Sequence, residues 1–193
     1  MLNAAESLIL AHGYAGTSVE AILERTGLTK GAFFHHFPSK QHLAAALIER
    51  YAAQDWEHFE ATLGRAERLG RDPVQQVLIL VGLYEEHLSN ATEPYRGCLF
   101  ASYCYQAGLF DDRIHAIIRD SLLKWREVLG RKLAEAIAYQ PTRVRIDPSD
   151  LADTFLTIAE GAFVMAKALR EPAIVTHQLR HFRTYLELLF APR

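Results

Sequence analysis

Apolar residues recur at three- and four-residue spacing along almost the whole chain, which is the pattern of amphipathic α-helices. The first stripe ends at Gly13 and consists of Leu2, Ala5, Leu8 and Ile9. Alternating runs of Val, Ile and Thr between turn residues, which are typical of strands, are essentially missing from the sequence. The pattern therefore predicts an all-α fold of about nine helices.

Two short helices with tight turns follow the first stripe. Thr17 or Ser18 begins the first of them, and Gly27 ends it. Thr29 caps the second, which closes at Pro38.

The helices predicted after this point are longer and have broad apolar faces, which suit a bundle. One runs from Lys40 to about Leu63, and a late one is expected to begin with Ser149 as its cap. We therefore predict a three-helix domain over residues 1–50 and a C-terminal helical domain over residues 51–193.

The composition and motifs of the chain exclude several classes of function but do not identify one. The chain has 193 residues, 50% of them hydrophobic, and a net charge of −2, so it has no general basic excess for nucleic acid. Cys98 and Cys104 are its two cysteines, and they form neither a disulfide framework nor a zinc motif. The sequence contains no catalytic motif such as GxSxG or HExxH and no apolar run long enough to span a membrane. Residues 1–10 contain Glu6 and lack a basic region, so we expect them not to act as a signal peptide. We expect a cytoplasmic protein that is not an enzyme and that uses no metal or cofactor.

The second short helix carries the candidate chemistry. Phe33 and Phe37, four residues apart, can fix this helix against the one before it. Its outward side then presents small and basic residues, which are Lys30, Gly31, Ala32 and His35. A helix of this kind after a short glycine turn matches a helix-turn-helix, whose second helix enters the major groove.

The segments TSVE (residues 17–20) and GLTKGAFFHHFPSK (residues 27–40) closely resemble the TetR (tetracycline-repressor) family of bacterial regulators. Over residues 2–48 the resemblance covers many individual positions. Beyond residue 50 it is limited to the helical architecture. It implies a homodimer with N-terminal DNA-reading domains and C-terminal domains that bind a small effector. The DNA contacts that it implies are Thr17, Thr29, Lys30, Gly31, Ala32, Phe34, His35 and Lys40.

This sequence departs from the family pattern at two of those positions. Ala32 stands where the family often has Thr, and Phe34 stands where it commonly has a Tyr that reaches phosphate. The formal charges of residues 1–50 also cancel, since Arg25, Lys30, Lys40 and Arg50 balance Glu6, Glu20, Glu24 and Glu49. We therefore expect weak phosphate binding unless charged histidines, or residues that precede Met1 in the natural protein, contribute.

The last two long helices carry apolar stripes that the resemblance assigns to a dimer interface. In the family these helices form a four-helix bundle with their copies, which suits a pseudo-palindromic operator. The predicted interface residues are Phe155, Ile158, Ala162, Phe182, Leu186 and Leu189. The alternative is that both stripes belong to the core of one chain.

The middle helices contain aromatic and soft side chains in the region that the family uses for its effector. The predicted pocket residues are Tyr84, His87, Cys98, Phe100, Tyr103, Cys104, Trp125 and Phe163. Ordinary core packing is the alternative for each of them. Cys98, at a helix N-terminus, is either an electrophile sensor or a buried small hydrophobe.

The sequence thus predicts a sequence-specific, DNA-binding transcriptional regulator, a repressor released from its operator by a small molecule. The alternative is an all-helical sensor of small molecules or electrophiles whose DNA binding is weak or lapsed. The neutral N-terminal domain and Phe34 are the reasons to keep that alternative.

Overall fold

The computed structural model describes residues 1–89 and 97–191. Within these residues lie nine α-helices and no strand, so the all-α prediction is confirmed. The helices are α1 (Leu2–His12), α2 (Val19–Thr26), α3 (Lys30–His36), α4 (Lys40–Leu69), α5 (Pro73–Ser89), α6 (Leu99–Cys104), α7 (Asp112–Tyr139), α8 (Pro148–Leu169) and α9 (Ala173–Leu189). A 3-10 turn, Ala107–Leu109, lies between α6 and α7.

Helix ends follow local side-chain chemistry with one correction to the predicted caps. The side chain of Ser18 accepts the Ala21 N–H at 3.0 Å, which identifies Ser18 as the cap of α2. The predicted cap of α8, Ser149, is instead inside the helix. Asp147 caps α8, because its Oδ1 accepts the Ser149 N–H at 2.8 Å and Pro148 occupies the first turn.

The chain divides into two compact units. One consists of Met1–Asp55 and Arg96–Ser121, and the other of Trp56–Tyr95 and Leu122–Arg193. The first unit is larger than the predicted domain of residues 1–50 because it also contains α6 and the start of α7. The predicted domain boundary at residue 50 stays a prediction.

The first unit is built around α1, which contacts α2 and α6. Its core is made of apolar side chains that the short helices could not bury alone. The largest fully buried ones are Ile9, Ile22, Phe33, Leu43, Leu47, Ile48, Leu99, Tyr103 and Ile114.

The second unit packs α9 against both α5 and α8 around an aromatic core. The rings of Phe59 and Trp125 lie 4.0 Å apart, and those of Phe155 and Phe182 lie 5.6 Å apart. Burial of these four rings, together with the aliphatic side chains around them, contributes favourably to the free energy of folding of this unit.

This core corrects the predicted dimer interface. Phe155, Phe182, Leu186 and Leu189 are at most 5% exposed within the single chain and belong to its central cluster. Ala162 is buried in a smaller cluster, and Ile158 packs at the edge of the central one. The predicted stripes therefore face the chain's own core, because α8 and α9 bury these faces against each other and against α5.

We predict that Phe155→Ala lowers the free energy of unfolding by about 3–5 kcal/mol, because it removes a buried ring and leaves a cavity. Tyr139→Ala makes a comparable truncation at a side chain that is 61% exposed, and should cost less than about 1 kcal/mol. Urea denaturation at one fixed protein concentration measures both. Equal losses for the two variants would contradict the assignment of Phe155 to the core.

Candidate functional site

A helix-turn-helix is formed by α2, the turn at Gly27 and α3. Gly27 has φ 68° and ψ 15°, the left-handed conformation that a glycine adopts at low cost. The hydroxyl of Thr29 accepts the Ala32 N–H at 3.2 Å and begins α3. The predicted turn and cap are both confirmed.

The inner face of this pair is apolar and the outer face of α3 is open. Ile22 and Phe33 are fully buried, and they anchor α2 and α3 in the core of the first unit. The exposed side chains and backbone of α3 include Lys30, Gly31, Phe34, His35 and His36, with Ala32 half-buried. This short helix thus offers a cation, two imidazoles, an apolar ring and a close backbone approach to a partner.

Two of the predicted DNA contacts have a different environment. Thr17 is 1% exposed, and its hydroxyl donates to the Gly13 carbonyl at 2.9 Å. Lys40 donates from Nζ to the Tyr14 carbonyl at 2.5 Å and lies 4.0 Å from the centre of the Tyr14 ring. Burial lowers the pKa of the Lys40 ammonium. Both side chains therefore contact the turn between α1 and α2, and their contact with DNA stays a prediction.

The cation on α3 has an acidic neighbour. Lys30 Nζ lies 3.9 Å from Glu20 Oε1, and both side chains are about 70% exposed. An ion pair this open contributes about 0–1 kcal/mol. Lys30 can therefore exchange Glu20 for a phosphate at little cost.

Four of the predicted effector residues lie in the second unit. Tyr84 is half-buried, with its ring 5.8 Å from Trp125 and 5.7 Å from Phe155. His87 is exposed, and Phe163 is half-buried against the small cluster of α8 and α9.

His58, which the sequence analysis missed, joins this group. Its ring lies 4.4 Å from that of His87 and 5.4 Å from that of Tyr84. The Nε2 atom of His58 is buried and has no hydrogen-bond partner among the described residues. Buried polar atoms without a partner are rare in native proteins. No sequence signal singled out His58, because one histidine on an amphipathic helix is ordinary.

The other four predicted effector residues lie in the first unit. Phe100 packs edge-on against Tyr51, at 5.0 Å, and the Tyr103 hydroxyl donates to the Ala44 carbonyl at 3.1 Å. Cys98 is buried with its Sγ 3.8 Å from the Tyr51 hydroxyl, whereas Cys104 is exposed. In this unit Phe100 and Tyr103 attach α6 to α4.

Two models of known protein families match this chain. A family model described as bacterial regulatory proteins, tetR family, matches residues 1–47. A second model, described as a tetracyclin repressor-like C-terminal domain, matches residues 73–182, more than half of the chain. The chain belongs to the TetR family. It is a DNA-binding transcriptional regulator, as the sequence predicts.

Individual TetR-family relatives agree with this assignment. The transcriptional regulator AcuR of Cereibacter sphaeroides is 29% identical over 161 residues, covering 83% of this chain and 71% of the relative. A TetR-family regulator from Agrobacterium tumefaciens has the same fold, with a TM-score of 0.80, 24% identity and coverage of 98% and 95% of the two chains. A regulatory protein TetR from Rhodobacter sphaeroides has a TM-score of 0.76 and 26% identity, with 95% of each chain covered.

The described part of this TetR-family chain has no evident metal site or membrane span. Among residues 1–89 and 97–191, no three His, Cys, Asp or Glu side chains are grouped so that they could hold a metal ion. None of the helices within these ranges is long and apolar enough to cross a membrane.

His58 should make stability depend on pH. Burial lowers the pKa of the His58 imidazole, and the nearby His87 lowers it further. An unfolded histidine titrates near pH 6.5, so below about that pH the unfolded chain binds a proton that the native chain resists. We predict that the free energy of unfolding falls as the pH is lowered from 7.5 to 5.5, and that His58→Gln reduces this fall. Denaturant titrations of both proteins at each pH measure it, and identical pH dependences would contradict the proposed burial of His58.

Proposed function

We propose that this TetR-family regulator is a homodimeric repressor that reads a pseudo-palindromic operator and leaves it when a small molecule binds. The observation that carries the proposal is the open face of α3 on a helix pair whose other face is fully buried. The residues proposed to contact DNA are Thr29, Lys30, Gly31, Ala32, Phe34 and His35. We place the protein in the bacterial cytoplasm, bound to the nucleoid when it occupies its operator.

The face of α3 supports reading in the major groove. Gly31 has no side chain and only Thr29 Oγ1, at 3.9 Å, near the position that a Cβ would take, so base edges can approach the backbone closely. The ring of Phe34 is 45% exposed and supplies an apolar surface for thymine methyl groups. Lys30 supplies the phosphate contact, which positions the helix without reading sequence.

A different pair of faces supports the dimer. On α8 the side chains of Val164, Met165 and Leu169 are 46%, 51% and 53% exposed. On α9 Leu188 is 61% and Tyr185 is 39% exposed. Exposed apolar residues at helical spacing on two packed helices favour burial against a second copy, and a two-fold pair would present two α3 helices to DNA.

The second unit supports effector binding. Tyr84, Trp125 and Phe155 supply apolar walls, and the buried Nε2 of His58 supplies a polar group. Sites for small molecules are mostly apolar with a few convergent polar groups. A ligand that binds one arrangement of this unit better than another shifts the population of DNA-competent dimers.

Binding of wild-type protein to the DNA upstream of its own gene tests the proposal. Fluorescence anisotropy between 50 and 200 mM salt should show specific binding whose affinity falls as salt rises. Absent or salt-insensitive binding would contradict the repressor and favour the sensor with lapsed DNA binding.

Lys30→Ala should weaken binding to all duplexes alike and reduce the slope of log affinity against log salt by about one, because one phosphate contact is lost. Arg131→Ala removes an equal charge from an exposed position on α7 and should leave the slope unchanged. The same anisotropy titrations measure both variants. An unchanged slope for Lys30→Ala would show that α3 does not face the phosphates.

Leu188→Glu should convert the dimer to monomer and weaken operator binding, since it places a charge in the proposed apolar interface. Leu69→Glu is the matched control, because Leu69 is also exposed, at 58%, but lies at the end of α4. Sedimentation equilibrium measures the oligomeric state of each variant. A Leu188→Glu dimer as stable as the wild type would contradict the assigned faces.

A further inference from the structure

The turn between α1 and α2 is held by a side chain far away in the sequence. The backbone N–H of Ala15 donates to Gln106 Oε1 at 3.0 Å, across 91 residues of chain. Gln106 lies between α6 and the 3-10 turn, in the same compact unit as α1–α3. This is a contact between the body of the first unit and the segment that leads into the helix-turn-helix.

The side-chain amide of Gln106 also lies close to Gly13, in the same turn. Gly13 has φ +76°, and a Cβ added there would lie 2.5 Å from Gln106 Nε2. The absence of a side chain at Gly13 therefore makes the space in which the Gln106 amide lies. One end of the amide packs on Gly13 while the other accepts the Ala15 N–H.

Gln106 is itself held in place by aromatic packing. The backbone N–H of Gln106 donates to the Tyr103 carbonyl at 3.0 Å. The Tyr103 hydroxyl in turn donates to the Ala44 carbonyl of α4 at 3.1 Å. The Tyr103 and Phe110 rings stack 4.3 Å apart, and Phe110 also contacts Tyr14 at 4.7 Å. The side chain of Gln106 thus extends from a backbone that is hydrogen-bonded to this aromatic cluster.

The turn that Gln106 contacts leads directly into α2. The turn consists of residues 13–17 and ends two residues before Val19, the first residue of α2. Within the turn, the Thr17 N–H donates to the Tyr14 carbonyl at 3.2 Å. A shift of this turn moves the start of α2 and, through the packing of α2 on α3, the DNA-reading face.

We propose that Gln106 is a positioning residue for DNA binding, and that the segment from Cys98 to Asp111 works together with the helix-turn-helix of α2 and α3. This inference rests on the proposed function. Gln106 holds the turn of residues 13–17 in its DNA-competent conformation and does not itself touch DNA. A change in this segment is therefore transmitted to α2 and α3 through the Gln106–Ala15 hydrogen bond.

Gln106→Met keeps the length of the side chain and removes the acceptor. We expect about three- to tenfold weaker binding to the upstream duplex, because DNA must then select the competent turn from a broader population. The salt dependence should keep the wild-type slope, since no phosphate contact is lost. Amide exchange at Ala15, followed by NMR, should become faster.

Two further variants separate positioning from general damage. Gln106→Glu retains an oxygen acceptor and should restore slow exchange at Ala15. Gln54→Met makes the same substitution at an exposed position on α4 and should change neither affinity nor exchange.

Each outcome decides the inference. Wild-type affinity in Gln106→Met, or unchanged Ala15 exchange, would overturn it while wild-type DNA binding leaves the proposed function intact. A flattened salt slope would overturn it by showing that Gln106 contacts phosphate directly. Failure of the wild-type protein to bind any duplex would reject the proposed function and this inference together.

Discussion

The burial of Tyr14 against Tyr103 and Phe110 is the interaction on which the first unit, which contains the helix-turn-helix, depends. Tyr14 is 6% exposed, and its carbonyl also accepts the Lys40 ammonium. Each aromatic pair contributes about 0.5–1.5 kcal/mol beyond its buried area. The exposed Lys30–Glu20 pair contributes no more than about 1 kcal/mol, so packing, and not charge, orients α2 and α3.

This dependence explains how a nearly neutral N-terminal domain can serve as a DNA reader. A helix-turn-helix with few cations gains little from phosphate, so it must lose little entropy when it binds. Capping by Ser18 and Thr29, the left-handed Gly27 and the anchored turn at Gly13 fix the helices before DNA arrives. In the proposed dimer, two such units combine modest contacts into one operator complex.

The features predictable from sequence are those with a local cause. Helix periodicity, the Thr29 cap and the Gly27 turn each depend on residues within a few positions of one another. The environment of Phe155 was not predictable, because an apolar stripe in the sequence does not show which partner buries it. Gln106 was equally out of reach, since its contact with Ala15 spans 91 residues and follows no spacing rule.

Hydroxyl-radical footprinting of the wild-type protein on the DNA upstream of its gene tests the paired reading of DNA most directly. A dimer that places two α3 helices in successive major grooves should protect two patches on one side of the duplex. Their centres should lie about 10 base pairs, or a multiple of that, apart. A single patch, or no protection at concentrations that saturate binding, would contradict the dimeric helix-turn-helix reader.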